Sequence, residues 1–198
     1  KRNFASAAGL GPALNELGMS LNLAGESAEA ETTLRESLRL VRQVFGETHG
    51  NVAMVMTNVA YAVEAQGRAA EAEQLARDAM ALFDQAFSPE HPRRADMHLV
   101  LGETLAGQRQ LAAARNEFLA ARRIALAAWG PDHPRSARAT ARLGRLEAEL
   151  GDPHSAIPLL EQARRALPQI QDTPEGASLN RALGEAWLRA GHPETARP

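Results

Sequence analysis

Apolar positions along the chain follow the helical spacing i, i+4, i+7, seen in Ala30, Leu34 and Ser37, in Ala114, Phe118 and Ala121, and in Ala156, Leu160 and Ala163. The second such triplet in the chain, Ala72, Ala76 and Ala79, has a small residue where the others are bulky. The pattern recurs every 42 residues. Leu17-Gly18, Val59-Ala60, Leu101-Gly102 and Leu143-Gly144 mark one register, and Phe45, Phe87 and Trp129 mark another, each followed four residues later by His49, His91 or His133. A fixed period of this length points to repeated supersecondary units.

Each unit reads as two helices. The first begins near Gly11, Asn51, Arg93 and Arg135 and ends near Gly25, Gly67, Gly107 and Gly151, where a left-handed glycine would close the last turn. The second is led by Glu26-Ser27, Arg68, Gln108 and Asp152-Pro153 and ends near Phe45, Phe87, Trp129 and Leu167. Asp152 caps free amides, and Pro153 sets the first helical φ. The aromatic-to-histidine segments are connectors, two of them reading His-Pro (His91-Pro92, His133-Pro134). Pro158 is expected to delay or bend the last second helix, and His98, Thr140 and Glu147 to loosen the packing around them.

One helix pair cannot bury its own apolar face, but stacked pairs share a continuous core. The fold class expected is therefore all-α: an α-solenoid of stacked antiparallel helix pairs. Residues 1–198 read as a single domain, with repeats at about 9–50, 51–92, 93–134 and 135–176 and a truncated fifth at 177–198. In the fifth, Leu183, Gly184 and Trp187 match the first helix, while the preceding Gln171–Gly176 stretch lacks the histidine connector. The chain starts at Lys1 without a Met and stops at Pro198 inside an expected second helix, so it is expected to be a fragment of a longer protein.

The residues that carry this register, Leu14, Leu17, Gly18, Leu21, Ala30, Leu34 and Ser37 in the first unit and their equivalents in the others, resemble the tetratricopeptide repeat. The long period, with Trp129-Gly130-Pro131-Asp132-His133-Pro134 as its clearest connector, is similar to the variety found in kinesin light chains and in bacterial signalling proteins. The resemblance implies that the α-solenoid is a right-handed superhelix with a concave groove lined by first helices. Carried onto this sequence, the groove residues are Asn15, Met19 and Asn22, then Thr57, Asn58 and Tyr61, then Asp96, Leu99 and Glu103, then Arg138, Arg142 and Arg145, with Arg181 in the last half-repeat. The family's carboxylate clamp would use Arg138 and Arg142, but Val100 stands where an Asn belongs. The kinesin-type asparagine ladder is represented by Asn15, Asn58 and Asn180.

Composition removes most chemistry. The 198 residues contain no Cys, and the net charge of −2 argues against nucleic-acid binding. Absence of Cys suits cytoplasm or periplasm alike, and the cytoplasm is the expected location. No apolar run reaches the roughly 18 residues of a membrane span. The three connector histidines are too far apart in the period to share a zinc ion, no serine sits in a nucleophile elbow, and Gly9-Leu10-Gly11 lacks a phosphate-loop lysine. The chain is thus expected to have no catalytic residues, cofactor or metal.

Charge is polarised: residues 1–92 carry 7 basic and 12 acidic side chains, and residues 93–198 carry 15 and 12. Arg138, Arg142 and Arg145 share one helical face, either solvated and paired with Glu149 or a neighbouring helix, or an anchor for an acidic or C-terminal peptide. The leading functional expectation is a scaffold that binds a protein or peptide segment in its groove. Two rivals are the sensor region of a larger bacterial signalling enzyme, such as a serine/threonine kinase, and a self-assembly module that forms a homodimer through uncapped ends near Trp187.

Overall fold

The computed structural model describes residues 2–168 and 173–192, with side chains from Gly9 onward. Among the described residues there are nine helices and no strand: α1 (Arg2–Leu23), α2 (Ser27–Phe45), α3 (Gly50–Glu64), α4 (Ala69–Ala86), α5 (Arg94–Gly107), α6 (Leu111–Trp129), α7 (Pro134–Leu150), α8 (Pro153–Ala166) and α9 (Pro174–Arg189). They form two compact units, residues 1–110 and 111–198. In the first, α1 packs on α2, α2 on α3, α3 on α4 and α4 on α5; in the second, α6 packs on α7, α7 on α8 and α8 on α9. Short turns make consecutive helices antiparallel. Each unit is the stack of helix pairs that the period predicts.

Close approach within a pair rests on a missing side chain. A Cβ at Gly18 would stand 2.5 Å from Leu34 Cγ, and one at Gly144 would stand 2.9 Å from Leu160 Cγ. Leu34 and Leu160 are buried because glycine leaves them that space. The second repeat has alanine at both register positions, Ala60 and Ala76, each fully buried, so a smaller pair meets there.

First helices end in one recurring turn. Gly25, Gly67, Gly151 and Gly191 are left-handed, with φ of 86°, 78°, 84° and 81°. In each case the next residue's amide reaches back five residues, as in Glu26 N to Leu21 O at 2.9 Å and Arg68 N to Val63 O at 3.3 Å. The third repeat departs from the expectation of a cap at Gly107. Gly107 is the last residue of α5, and the left-handed position falls 42 residues after Gly67, on Arg109 with φ 62°. Gln110 N still donates to Leu105 O at 2.9 Å, so the turn is kept by a residue ill suited to it.

Other boundaries also differ from the sequence reading. α1 starts at Arg2, earlier than the Gly11 expected, and runs on through Gly9 and Pro12. α6 starts at Leu111, past the left-handed turn, and α9 starts at Pro174, where the Thr173 hydroxyl accepts from Gly176 N at 3.3 Å. Gln171, Asp172 and Pro198 lie outside the described residues. Pro158 neither delays nor ends α8, which begins at Pro153 with the Asp152 carboxylate accepting from Ser155 N at 3.1 Å.

Thr140 and Glu147 do not loosen the second unit either. Thr140 donates to Ser136 O at 2.8 Å and accepts from Arg122 Nε at 3.3 Å. Glu147 is 4% exposed and takes Arg115 Nε of α6 at 2.6 Å. Its equivalents one and two periods earlier, Leu105 and Val63, are buried and apolar.

Two outcomes follow from these positions. Arg109→Gly relieves a left-handed strain of about 1–2 kcal/mol, part of which is offset by the freer unfolded chain. Chemical denaturation should show a gain of about 0.5–1 kcal/mol; a loss would mean that the turn is not strained. Arg115→Ala leaves the Glu147 carboxylate buried without its guanidinium and should cost about 1–3 kcal/mol. Glu147→Leu restores the apolar residue of the earlier repeats and should be neutral or stabilising in the same measurement.

Candidate functional site

The candidate residues divide between the two units. In the first, Asn15, Met19 and Asn22 lie on α1, Asn58 and Tyr61 on α3, and Glu103 on α5, all partly buried. α1 packs on α3 and α3 on α5, so the first helices are neighbours, and the side chains bridge them. Asn58 Nδ2 donates to Asn15 Oδ1 at 2.8 Å. Asn15 Nδ2 lies 3.7 Å from Met19 Sδ, and Ser27 Oγ donates to Asn22 Oδ1 at 3.1 Å. Tyr61 OH donates to the Asp96 carbonyl at 3.2 Å. Thr57 and Leu99, expected in the groove, are buried instead. They sit on the packed side of their helices, where the Thr57 hydroxyl donates to Ala53 O at 2.9 Å.

In the second unit α7 packs on α9. Arg138 Nε stands 3.9 Å from Glu175 Oε2, and Arg145 donates to Ser178 Oγ at 3.1 Å, so two of the three arginines brace α7 to α9. Arg142 is half-buried on the same helix, and Arg181 is exposed on α9. Asn180 is half-buried on α9, and Trp187 packs against the core that contains Leu160, Leu179 and Leu183. The Arg138 side chain is 44% exposed.

The second helices of the first unit carry a separate charged network that sequence reasoning missed. Glu31 on α2 accepts from Gln66 at 2.8 Å, from Arg35 at 2.8 Å and from Arg68 at 2.6 Å. Burial pushes its carboxyl up, but these three donors more than reverse that and hold it below the ordinary range. One period later Glu73 accepts from Gln108 at 2.6 Å and also pairs with Arg77; the Gln108 amide foremost, then Arg77, lowers its carboxyl. The recurrence of Glu31 and Glu73, and of Gln66 and Gln108, at 42 residues was the available signal. These acids are satisfied internally.

The connector histidines have a structural task. His49, His91 and His133 each accept at Nδ1 from the amide two residues on, at 3.1, 3.2 and 3.2 Å. Each ring also lies on the connector aromatic, with centroids 4.8 Å apart for Phe45, 4.5 Å for Phe87 and 5.4 Å for Trp129. Arg135 covers Trp129 at 5.3 Å. Among the described residues no group of three or more His, Asp or Glu is placed to hold a metal ion.

Models of the tetratricopeptide repeat match residues 10–85, 51–127 and 93–169, and a further one matches 141–198. The chain belongs to the tetratricopeptide repeat family. Comparison with curated proteins finds no match. Among solved structures, the chain is similar to a Podosopora anserina protein described as a kinesin light chain with nearly identical TPR-like repeats, at 20% identity and TM-score 0.69, covering 93% of this chain and 89% of that one. BtubC (BKLC) from P. vanneervenii is 18% identical, with TM-score 0.71 and coverage of 98% and 85%. MamA 41-end from Desulfovibrio magneticus RS-1 is 17% identical, with TM-score 0.58 and coverage of 94% and 88%. At these identities the likeness is one of fold. Tetratricopeptide repeats are in general protein-interaction scaffolds, and no helix among the described residues is long and apolar enough to cross a membrane.

The connector histidine gives a graded test. His133→Ala removes both the amide acceptor and the ring on Trp129, and should cost about 1–3 kcal/mol in urea unfolding. His133→Asn keeps an acceptor and should recover about half of that loss. Equal losses in both variants would show that capping contributes nothing.

Proposed function

We propose that this tetratricopeptide chain is a non-catalytic scaffold that holds an extended segment of a partner protein against its first helices. The observation that carries the reading is the Asn15–Asn58 amide pair between α1 and α3, beside Tyr61. A carboxamide offers a donor and an acceptor together, which is what an extended backbone needs whatever its side chains. The pair bonded at 2.8 Å is held in place before any ligand arrives, so less entropy is lost on binding. In the second unit, Arg138, Arg142 and Arg145 on α7 and Arg181 on α9 add positive charge on first helices, which favours an acidic segment there. Arg138 stands 3.9 Å from Glu175, beyond hydrogen-bond reach, so a ligand carboxylate that came within hydrogen-bond distance would bind it more strongly.

The test is selection of peptides from a random display library on the wild-type chain, followed by calorimetric titration of the selected sequences. Asn58→Ala and Tyr61→Ala should each weaken a peptide bound to the first unit by about 5–30-fold. Arg142→Ala should do so for acidic peptides bound to the second. The second-helix control Arg77→Ala should leave affinity unchanged. Selection that yields no binder, or binders indifferent to all first-helix substitutions, would refute the proposal.

A further inference from the structure

The outer side of α6 breaks a rule that the same side of α2 obeys. On α2 a groove of about 670 Å³ is lined by Arg35, Leu38, Arg39, Arg42, Gln43 and Glu47. Its guanidiniums are answered by acids: Arg35 meets Glu71 at 2.9 Å, Arg39 meets Glu36 at 2.6 Å and Arg42 meets Glu47 at 3.0 Å. On α6 a groove of about 580 Å³ is lined by Leu119, Ala120, Arg122, Arg123 and Leu126. It is the same place in the register, two 42-residue periods later, with Leu119 standing for Arg35.

In α6 the polarity is inverted. Arg35 and Arg42 become Leu119 and Leu126, and the acids that met them, Glu71 and Glu47, become Ser155 and Pro131. Leu38, 7% exposed in α2, becomes Arg122, which turns to Thr140 Oγ1 of α7 at 3.3 Å and to Gln162 Oε1 of α8 at 3.4 Å. Arg39 stays as Arg123, but its partner Glu36 becomes Ala120, and no acid stands within one helical turn of Arg123 in either direction. Leu119 is 39% exposed, and Arg123 is exposed beside it. On α8, Arg164 and Arg165 are exposed as well, with Glu161 at 4.0 Å from Arg165. Both members of each ion pair are thus absent together, which leaves leucine outermost and guanidinium charge around it.

Stacking of repeats does not cover this side. Arg35 and Arg39 on α2, Arg77 and Ala81 on α4 and Arg165 on α8 hold the same positions and are exposed, so further repeats in the same register would leave it open too. We propose that the outer side of α6 is a docking site for an acidic amphipathic helix of a partner protein, with aliphatic side chains on Leu119 and Leu126 and Asp or Glu facing Arg123. Charge complementarity sets the acids: a purely apolar partner would cover Arg123 without pairing it, and a basic one would repel it. The ligand is a helix because the lining offers no acceptor for the amides of an extended strand, whereas a helix satisfies its own. Leu119 and Leu126 are seven residues apart, about 10.5 Å along the axis, which two turns of a partner helix span. A second copy is a poor source, since Glu31, Glu36, Glu71 and Asp84 on α2 and α4 are already held by arginines. The site is independent of the peptide site proposed on the first helices and uses none of its residues.

The probe is a displayed library of alanine-rich helical peptides, about 18 residues long and randomised along one face. It is selected against the whole chain and, in parallel, against Leu119→Arg, which restores the residue type of the first two repeats. Peptides enriched only on the wild type should carry Leu, Ile or Val one and two turns apart with Asp or Glu between them. Titrated as free peptides, they should bind one-to-one, at least about tenfold more weakly to Leu119→Arg or Arg123→Glu, and more weakly as salt rises. Arg39→Ala in the equivalent groove of α2 and Asn58→Ala on the first helices should change nothing. Leu119 and Arg123 are both exposed, so thermal midpoints should match wild type; Leu119→Gln replaces Leu119→Arg if that variant fails to fold. No differential peptide, enriched peptides that are basic or uncharged, or binding indifferent to Leu119 and Arg123 would overturn the proposal. So would phosphatidylglycerol vesicles that bind through these two residues when no peptide does, or a dimer of the chain alone that Arg123→Glu disperses.

Discussion

Everything else in each unit depends on how near a first helix can come to its own second helix. At Gly18 and Gly144 there is no room for a methyl group, because Leu34 and Leu160 occupy it. Those leucines are therefore buried to 1% and 0% while still reaching the next layer of the stack. A wider pair would leave voids, and a void beside a leucine costs about 24 cal/mol per Å³. In the second repeat two methyl groups, Ala60 and Ala76, meet at the same place and are both fully buried. What recurs is a small residue on the first helix, and the side chain opposite it varies from Ala76 to Leu34 and Phe118.

That constraint also orders the surface. Once one side of a first helix is given to its own second helix and another to the preceding one, a single polar side remains. On α1 and α3 this side carries Asn15, Asn58 and Tyr61, and on α7 it carries Arg138, Arg142 and Arg145. In the first unit, second helices spend their outer faces on pairing among themselves, as in Arg35 with Glu71 at 2.9 Å and Arg68 with Glu31 at 2.6 Å. Exposed pairs of this kind contribute little to stability, but they tie up the charges that would otherwise compete for a ligand.

The helices, their pairing and the register of the small residues were legible in the sequence because period and helical spacing report packing directly. Where reading failed, a local rule had met a residue that tertiary structure overrides. Gly107 looked like a cap, yet the 42-residue register was the better guide and placed the left-handed turn on Arg109. Thr140 and Glu147 looked like packing faults because their partners, Arg122 and Arg115, come from α6 and lie 18 and 32 residues away. The candidate site was half legible. Helical position picked out Asn15, Asn58 and Tyr61, but it could not tell Thr57 from Asn58, adjacent residues of which one is buried and one is not.

The charge polarity of the chain has a related origin. Arg115 stands at the register position of Glu31 and Glu73, so the second helix changes sign between the second and third repeats. Its partner changes with it: a turn amide, Gln66 or Gln108, serves the two acids, whereas the base is met by Glu147 inside α7. The later arrangement moves an acid from the surface of a second helix into the core side of a first helix. It thereby takes one negative charge off the solvent-facing surface of the second unit. On α7 itself, Arg138 meets Glu175 and Arg145 meets Ser178, both on α9.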